Sequence, residues 1–334
     1  MVDSARASRL RSALRRVRAW AAAPRTAAGS RTRVAAHWAK DGGSWRAGGS
    51  LHWTELGQIQ RLINQRVSGD PEVDPYHYFI RKYLNGHLPV ERALSLGCGT
   101  GELERGLAEY GFCRRHDAFD IADVSVAKAR EAAALAGLSH IAYDVRDINE
   151  IELPAATYDC VWGVHSIHHI VRLEHVFAQV SKALKPDGYF VLNEFVGPSR
   201  FQWTDRQLEV INGLLRMLPE RLRVSCRGAG RIKAHVERPS IAEMKRSDPS
   251  ESVRSAEILS LLPQFFEVVE VKAYGGTVLH MLLHDIAGNF QTDDAAANRI
   301  LQSLCDLEDN LIALGDLPND FVFVVVRKPE GDEP

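Results

Sequence analysis

LSLGCGTGELE, residues 94–104, sets glycine at 97, 99 and 101 between two apolar runs. A glycine-rich turn that leaves a buried strand and opens a helix lets main-chain amides approach a ligand, and the helix N-terminus favours negative charge. The turn is therefore a candidate binding site. A dinucleotide fingerprint, G-x-G-x-x-G, would require glycine at position 102. Glu102 stands there instead, an acid unsuited to lie beside a pyrophosphate, so the spacing argues against NAD.

Working outward, RALSL precedes the turn and GELERGLAEYG follows it. HDAFDI leads into DVSVAKAREAAALAG, then come HIAYD, YDCVWGV with VRLEHVFAQVSKALK, and GYFVLNEF. Short apolar runs alternating with helical periodicity predict βα units on a parallel sheet. FFEVVEVKAY and FVFVVVRK supply two further strands near the end. Asp120 ends its strand 23 residues after Gly97, where a carboxylate can accept hydrogen bonds from ribose hydroxyls. Asp144 ends the HIAYD run, where it can accept from an adenine amino group while the Val145 N–H meets a ring nitrogen. A glycine turn and two acids in this order imply a nucleoside.

On these motifs the stretch from about 90 to 195 resembles the class I S-adenosylmethionine-dependent methyltransferases, in the small-molecule, type 11/12-like group. LSLGCGTG is similar to that family's first motif, FDIADVSVAKARE to its ribose acid and following helix, and AYDV to its adenine contact. YDCVWGVHSIHHI and LKPDGYFVL resemble its fourth strand and the turn into its fifth. Ser95 stands where the family often carries an acid, and Ala122 where a serine commonly follows the ribose acid. The resemblance implies a Rossmann-like, doubly wound, mostly parallel seven-stranded sheet with an antiparallel last strand. It also implies S-adenosyl-L-methionine as cofactor, held by Ser95, Gly97, Cys98, Gly99, Thr100, Gly101, Asp120, Ile121, Asp144 and Val145.

The 334 residues are 45% hydrophobic and 25% charged, a globular composition with material for a sizeable core. Apolar runs such as FVFVVV fall far short of the roughly 20 residues of a membrane-spanning helix. Five cysteines (98, 113, 160, 226, 305) form no CxxC pair, which suits a reducing, cytoplasmic setting. The net charge of −2 hides an asymmetry, with residues 1–40 near +9 and the remainder near −11. Residues 4–33 are rich in Arg, Ala and Ser, with Leu10, Leu14, Val17 and Trp20 at helical spacing. They read as a solvated extension, a basic amphipathic helix at a membrane surface, or a targeting segment, and as dispensable for cofactor binding. The expected organisation is this extension (1–40), a helical cap (41–90) and a methyltransferase domain (91–334). The domain carries an insertion at about 196–253, resembling a lid, and a helical connection at about 277–318.

Methyl transfer from a sulfonium is an in-line displacement in which the protein aligns nucleophile and methyl carbon and removes a proton when the nucleophile is a hydroxyl. His165 and Glu194, at the ends of the fourth and fifth strands, are the candidate bases, with His169 as a catalytic or loop-shaping residue. The expected acceptor is a hydroxyl of a small molecule, saccharide or lipid-linked compound. N-methylation of a small molecule or RNA, and a non-catalytic S-adenosylmethionine-binding module, stand as alternatives. No NPPY-like motif or Pro-Cys nucleophile accompanies the fourth strand, so nucleic acid is not the expected partner. His280 and His284 lack a third ligand pattern, and no metal is assigned. The sequence leaves the oligomeric state open.

Overall fold

The computed structural model describes residues 28–39, 51–85, 87–228 and 230–329. The Arg-rich stretch before residue 28, read as an amphipathic or targeting segment, lies outside them. Helix α1 (Ala28–Ala39) comes first, then α2 (Gly57–Ser68) and α3 (Pro75–Phe79). Asp74 fixes the start of α3, accepting from the Tyr76 and His77 amides with Pro75 at the first helical position.

The βα rhythm then begins with β1 (Val90–Leu96), α4 (Glu102–Glu109), β2 (Cys113–Asp120), α5 (Asp123–Leu135) and β3 (Ile141–Val145). It continues with β4 (Tyr158–Val164), α6 (Leu173–Ala183) and β5 (Leu184–Phe195). The segment read as a lid-like insertion holds α7 (Asp205–Met217) and α8 (Ile241–Ser247), and α9 (Ile258–Leu261) leads into β6 (Glu267–Gly275). The connection to β7 (Phe321–Arg327) holds α10 (Leu279–Leu283) and α11 (Ala295–Ala313).

The strands form one sheet in the order β3-β2-β1-β4-β5-β7-β6. β1 to β5 run parallel, while β7 lies antiparallel between β5 and β6. Strand residues alternate between the two faces, as the pleat requires. Ala93, Cys160, Trp162, Val191, Phe323 and Val325 join the core under α2, α3, α7, α10 and α11. Leu94, Val161, Phe190, Leu192, Val324 and Val326 join the core under α6 and α9. Burial on both faces explains why FVFVVV reads as a continuous apolar run rather than an alternating one.

The long β6–β7 connection is tied back by one buried carboxylate. Glu308 of α11 accepts from the Gly276, Val278 and Leu279 amides at 2.8 to 2.9 Å, and Arg66 of α2 lies 3.9 Å from it. Gly275 and Gly276 turn there with φ of 86° and 82°, in the left-handed region that glycine enters freely. β7 can thus pair with β5 despite the intervening helices.

Candidate cofactor site

Parallel α/β sheets bind ligands at the carboxyl ends of their strands where the strand order reverses, which here is the crevice between β1 and β4. A cavity of about 310 Å³ opens there. Its floor is the glycine turn, with φ of 77°, 50° and 78° at Gly97, Gly99 and Gly101. A Cβ on Gly97 would overlap the Ser166 side chain, and one on Gly101 would overlap the Tyr143 ring and hydroxyl. Both positions are closed to any larger residue. The Gly97 amide donates to Phe119 O at 2.7 Å, and the Gly99 amide donates to Asp120 Oδ2 at 2.9 Å.

Asp120 also accepts from the Ala122 amide at 2.9 Å, so β2 and the glycine turn share one carboxylate. Burial raises its pKa against the lowering effect of these amides. Ser95, Gly97, Cys98, Gly99, Thr100, Asp120 and Ile121 all line the cavity. Gly101 stands just behind, where its left-handed φ opens α4.

The β3 edge differs from the sequence reading. Asp144 is half exposed and pairs with Arg130 at 3.5 Å and Arg146 at 3.4 Å, Val145 is 45% exposed, and neither lines the cavity. Asp147, Ile148 and Asn149 line it instead. Asp147 caps a short 3-10 turn by accepting from the Asn149 amide at 3.0 Å, which brings the chain back towards the glycine turn.

His165 lines the cavity at the end of β4 with φ of 49°, uncommon for a residue with a Cβ, and its amide donates to Asn193 O at 2.9 Å. Its ring is open to the cavity, yet desolvation by the surrounding walls holds the imidazole below the ordinary histidine pKa, with Glu194 opposing and His168 reinforcing the shift. His169 also lines the cavity, faces Ser250 and Trp38, and is likewise lowered by burial and by His168.

Glu194 is placed differently from its expected role. It is fully buried and absent from the cavity wall, accepting from the Ser166 and Ile167 amides at 2.5 Å, from His168 Nδ1 at 2.6 Å and from its neighbour Phe195 N at 3.1 Å. With its lone pairs committed it braces the histidine loop from behind. A base acting on an acceptor must reach it, and this carboxylate does not face the cavity.

Further wall residues were not singled out as site residues from sequence. Val34 and Trp38 of α1 line the cavity, so the end of the basic extension belongs to the site that the sequence reading placed beyond it. Trp162 and Glu104 line it as well. The signal for the first pair was their spacing of four, which sets both on one helix face.

The sheet order, glycine turn and buried acid define a Rossmann-like nucleoside-binding domain. Residues 94–192 match the family model described as a methyltransferase domain. The 27-O-demethylrifamycin SV methyltransferase of Amycolatopsis mediterranei is 30% identical over 117 residues, or 34% of this chain and 43% of that protein. A sterol 24-C-methyltransferase of Eremothecium gossypii is 27% identical over 113 residues, 34% of this chain and 30% of that protein. An S-adenosyl-L-methionine-dependent Diels-Alderase of Talaromyces variabilis is 34% identical over 106 residues, 31% of this chain and 36% of that protein. The chain spans less than half the length of these relatives. It carries a class I S-adenosylmethionine-dependent methyltransferase domain, and S-adenosylmethionine is the cofactor of that domain.

The residues present fit this cofactor, since the turn's two glycines keep open a cradle that a Cβ would fill. Gly97→Ala is expected to weaken S-adenosylhomocysteine binding at least about tenfold, because alanine must adopt the left-handed φ and displace Ser166. Titration calorimetry on a folded variant checks this, and unaltered affinity would mean that the cradle does not hold the ligand.

Proposed function

We propose that this protein transfers a methyl group from S-adenosylmethionine to a hydroxyl of a small molecule, saccharide or lipid-linked acceptor. The observation that carries the reading is the position of His165, whose solvent-open imidazole lines the same cavity as the glycine turn and is held below the ordinary histidine pKa. The cofactor supplies an activated methyl on a positive sulfur. Asp120 would take the ribose hydroxyls, and Gly97 to Gly101 would keep the backbone close to the nucleoside and its methionine arm. Asp147 and the Ile148 amide are better placed for the adenine edge than Asp144 and Val145, because they face the cavity. His165 takes the proton from the acceptor hydroxyl, which is protonated near neutral pH, as oxygen attacks. Glu194 acts as a positioning residue through Ser166, Ile167 and His168. Trp38, Val164, Ile170 and Val171 give the acceptor side an apolar wall, consistent with a largely apolar substrate.

The relatives' names bracket this chemistry, one pointing to an oxygen-linked methyl, one to a sterol carbon, and one to a cofactor-dependent reaction of another type. A carbon acceptor would not need the hydroxyl's base, and His165 favours oxygen. No helix among the described residues is long and apolar enough to cross a membrane. We place the protein in the cytoplasm because all five cysteines are free, a state that a reducing compartment maintains.

Extracts of cells with and without the protein, compared by mass spectrometry for species shifted by one methylene, test the reaction. Binding of S-adenosylhomocysteine without turnover of any acceptor would favour a binding module. Asp120→Ala is expected to cost cofactor binding about 1.5–3 kcal/mol, the worth of hydrogen bonds to a charged acceptor. Unchanged calorimetric affinity in the folded variant would remove Asp120 from the site.

A further inference from the structure

Glu104, in the first turn of α4, is 1% exposed and lines the cavity, yet neither of its carboxylate oxygens has a hydrogen-bond partner among the described residues. An unpaired carboxylate sealed from water is costly, and native proteins seldom retain one without a partner arriving from elsewhere. Ser95, beside it on β1, has its hydroxyl engaged at 2.9 Å with His116 Nε2 and offsets the effect of burial on the acid only in part. The cavity wall holds Glu102, Glu104, Asp120 and Asp147, but neither lysine nor arginine among the described residues. Such a wall selects a cation. Asp120 already accepts from two amides of its own surroundings, whereas Glu104 accepts from none.

We propose that Glu104 is the residue that recognises the α-ammonium of the cofactor's amino-acid end, supplying from α4 the charge that Ser95 on β1 lacks. The inference rests on the cofactor reading above and adds to it the residue that distinguishes an amino-acid-bearing nucleoside from a plain one. Three N–H donors of the ammonium find two orphaned oxygens, and the glycine turn between Ser95 and Glu104 brings the nucleoside and its amino-acid arm to one wall. Facing Glu104 are Ser95 from β1, Cys98 from the turn, Asp120 from β2, Tyr143 from β3 and Arg105 from its own helix. Burial, reinforced by Asp120 and opposed by Ser95 and Arg105, raises the free carboxyl to about 7. The ammonium must therefore bind the ionised form and release the proton below that pH.

Two ligands separate this role from simple packing. S-adenosylhomocysteine carries the amino-acid end, and 5′-methylthioadenosine keeps the nucleoside and thioether without it. Calorimetry on the full chain should give a loss of about 10- to 100-fold for S-adenosylhomocysteine in Glu104→Gln, with methylthioadenosine unchanged. Combining Ser95→Asp with Glu104→Ala should recover part of that loss, because a carboxylate returns to the same space from β1. Should Glu104→Gln not fold, the wild type alone suffices. Its preference for S-adenosylhomocysteine over methylthioadenosine should shrink as pH falls from about 8 to about 5.5, through the raised carboxyl pKa. Equal losses for both ligands, no loss for either, or a preference independent of pH would each overturn the role of Glu104 while leaving the cofactor reading intact. A wild type that binds neither ligand would overturn both.

Discussion

Glu194→Ala is expected to lower the free energy of unfolding by about 3–5 kcal/mol, the cost of breaking a buried charged pair by removing one partner. The loss is large because this one carboxylate satisfies the Ser166 and Ile167 amides and His168 Nδ1 with no exposure to water. Without it, three donors at the end of β4 are left in an apolar interior, and the His165–His169 loop loses the brace that sets its position. Urea denaturation measures the effect. If the variant keeps wild-type stability and loses turnover alone, Glu194 would be a base acting on the acceptor, and the bracing role would be wrong.

The pH dependence of that difference has a fixed sign. Burial works against both charges, yet His168 and the amides hold the Glu194 carboxyl below its ordinary 4.5, and Glu194 with Glu251 holds His168 above 6.5. A depressed carboxyl contributes stability that is present above 4.5 and lost as pH falls through its folded value. A raised imidazole contributes stability that is present below 6.5 and lost as pH rises through its folded value. The gap between wild type and Glu194→Gln should be widest between 4.5 and 6.5 and narrow on either side. Taking the difference removes the opposing pull of other histidines, His52, His116 and His280, whose pKa values desolvation lowers in both proteins.

The same carboxylate marks where legibility in the sequence ends. Five parallel strands and the helices between them are visible as apolar runs of strand length alternating with helical ones, because burial on both faces leaves no other pattern for such a sheet. The glycine turn is equally visible, since left-handed φ values select the residue. That Glu194 ends a strand at the ligand edge is legible too. Which way its side chain faces depends on three donors from another strand's loop, contacts that no local pattern encodes.

Asp144 and Asp147 illustrate the same boundary. Asp144 lies near the end of β3 and Asp147 just beyond it; Ile141 and Tyr143 point inward, so the pleat turns Asp144 outward, and only the 3-10 turn beyond the strand brings Asp147 back to the cavity. Glu104 did leave a trace in the opening stretch. It lies three residues before the buried Leu107, on the face of α4 that packs inward, where a charged residue is out of place unless it has a use. α1 is legible in the spacing of Val34 and Trp38 but not in what they cover.

His165→Ala is expected to reduce turnover by about 10² to 10⁴, the range over which a positioned general base contributes, with S-adenosylhomocysteine affinity within a few-fold of wild type. Desolvation by the cavity walls lowers the imidazole's pKa from its ordinary value, so at pH 7 its free nitrogen can accept a proton. Its ring lies 6.3 Å from that of His52, whose own pKa burial lowers to about 3, and 6.2 Å from that of Phe321, while the Glu194 carboxylate only partly opposes the lowering. Turnover should be flat around neutrality and fall only as pH drops through this lowered value, where protonation removes the base. Alanine also disturbs the backbone, since φ at this position is 49° and alanine enters the left-handed region less readily than histidine does. His165→Asn separates the two effects, because asparagine enters the left-handed region more readily and has no titratable base. A loss in the asparagine variant as deep as in the alanine variant assigns the rate to proton transfer. Full turnover in the asparagine variant would leave His165 a backbone device and reduce the mechanism to alignment of acceptor and methyl.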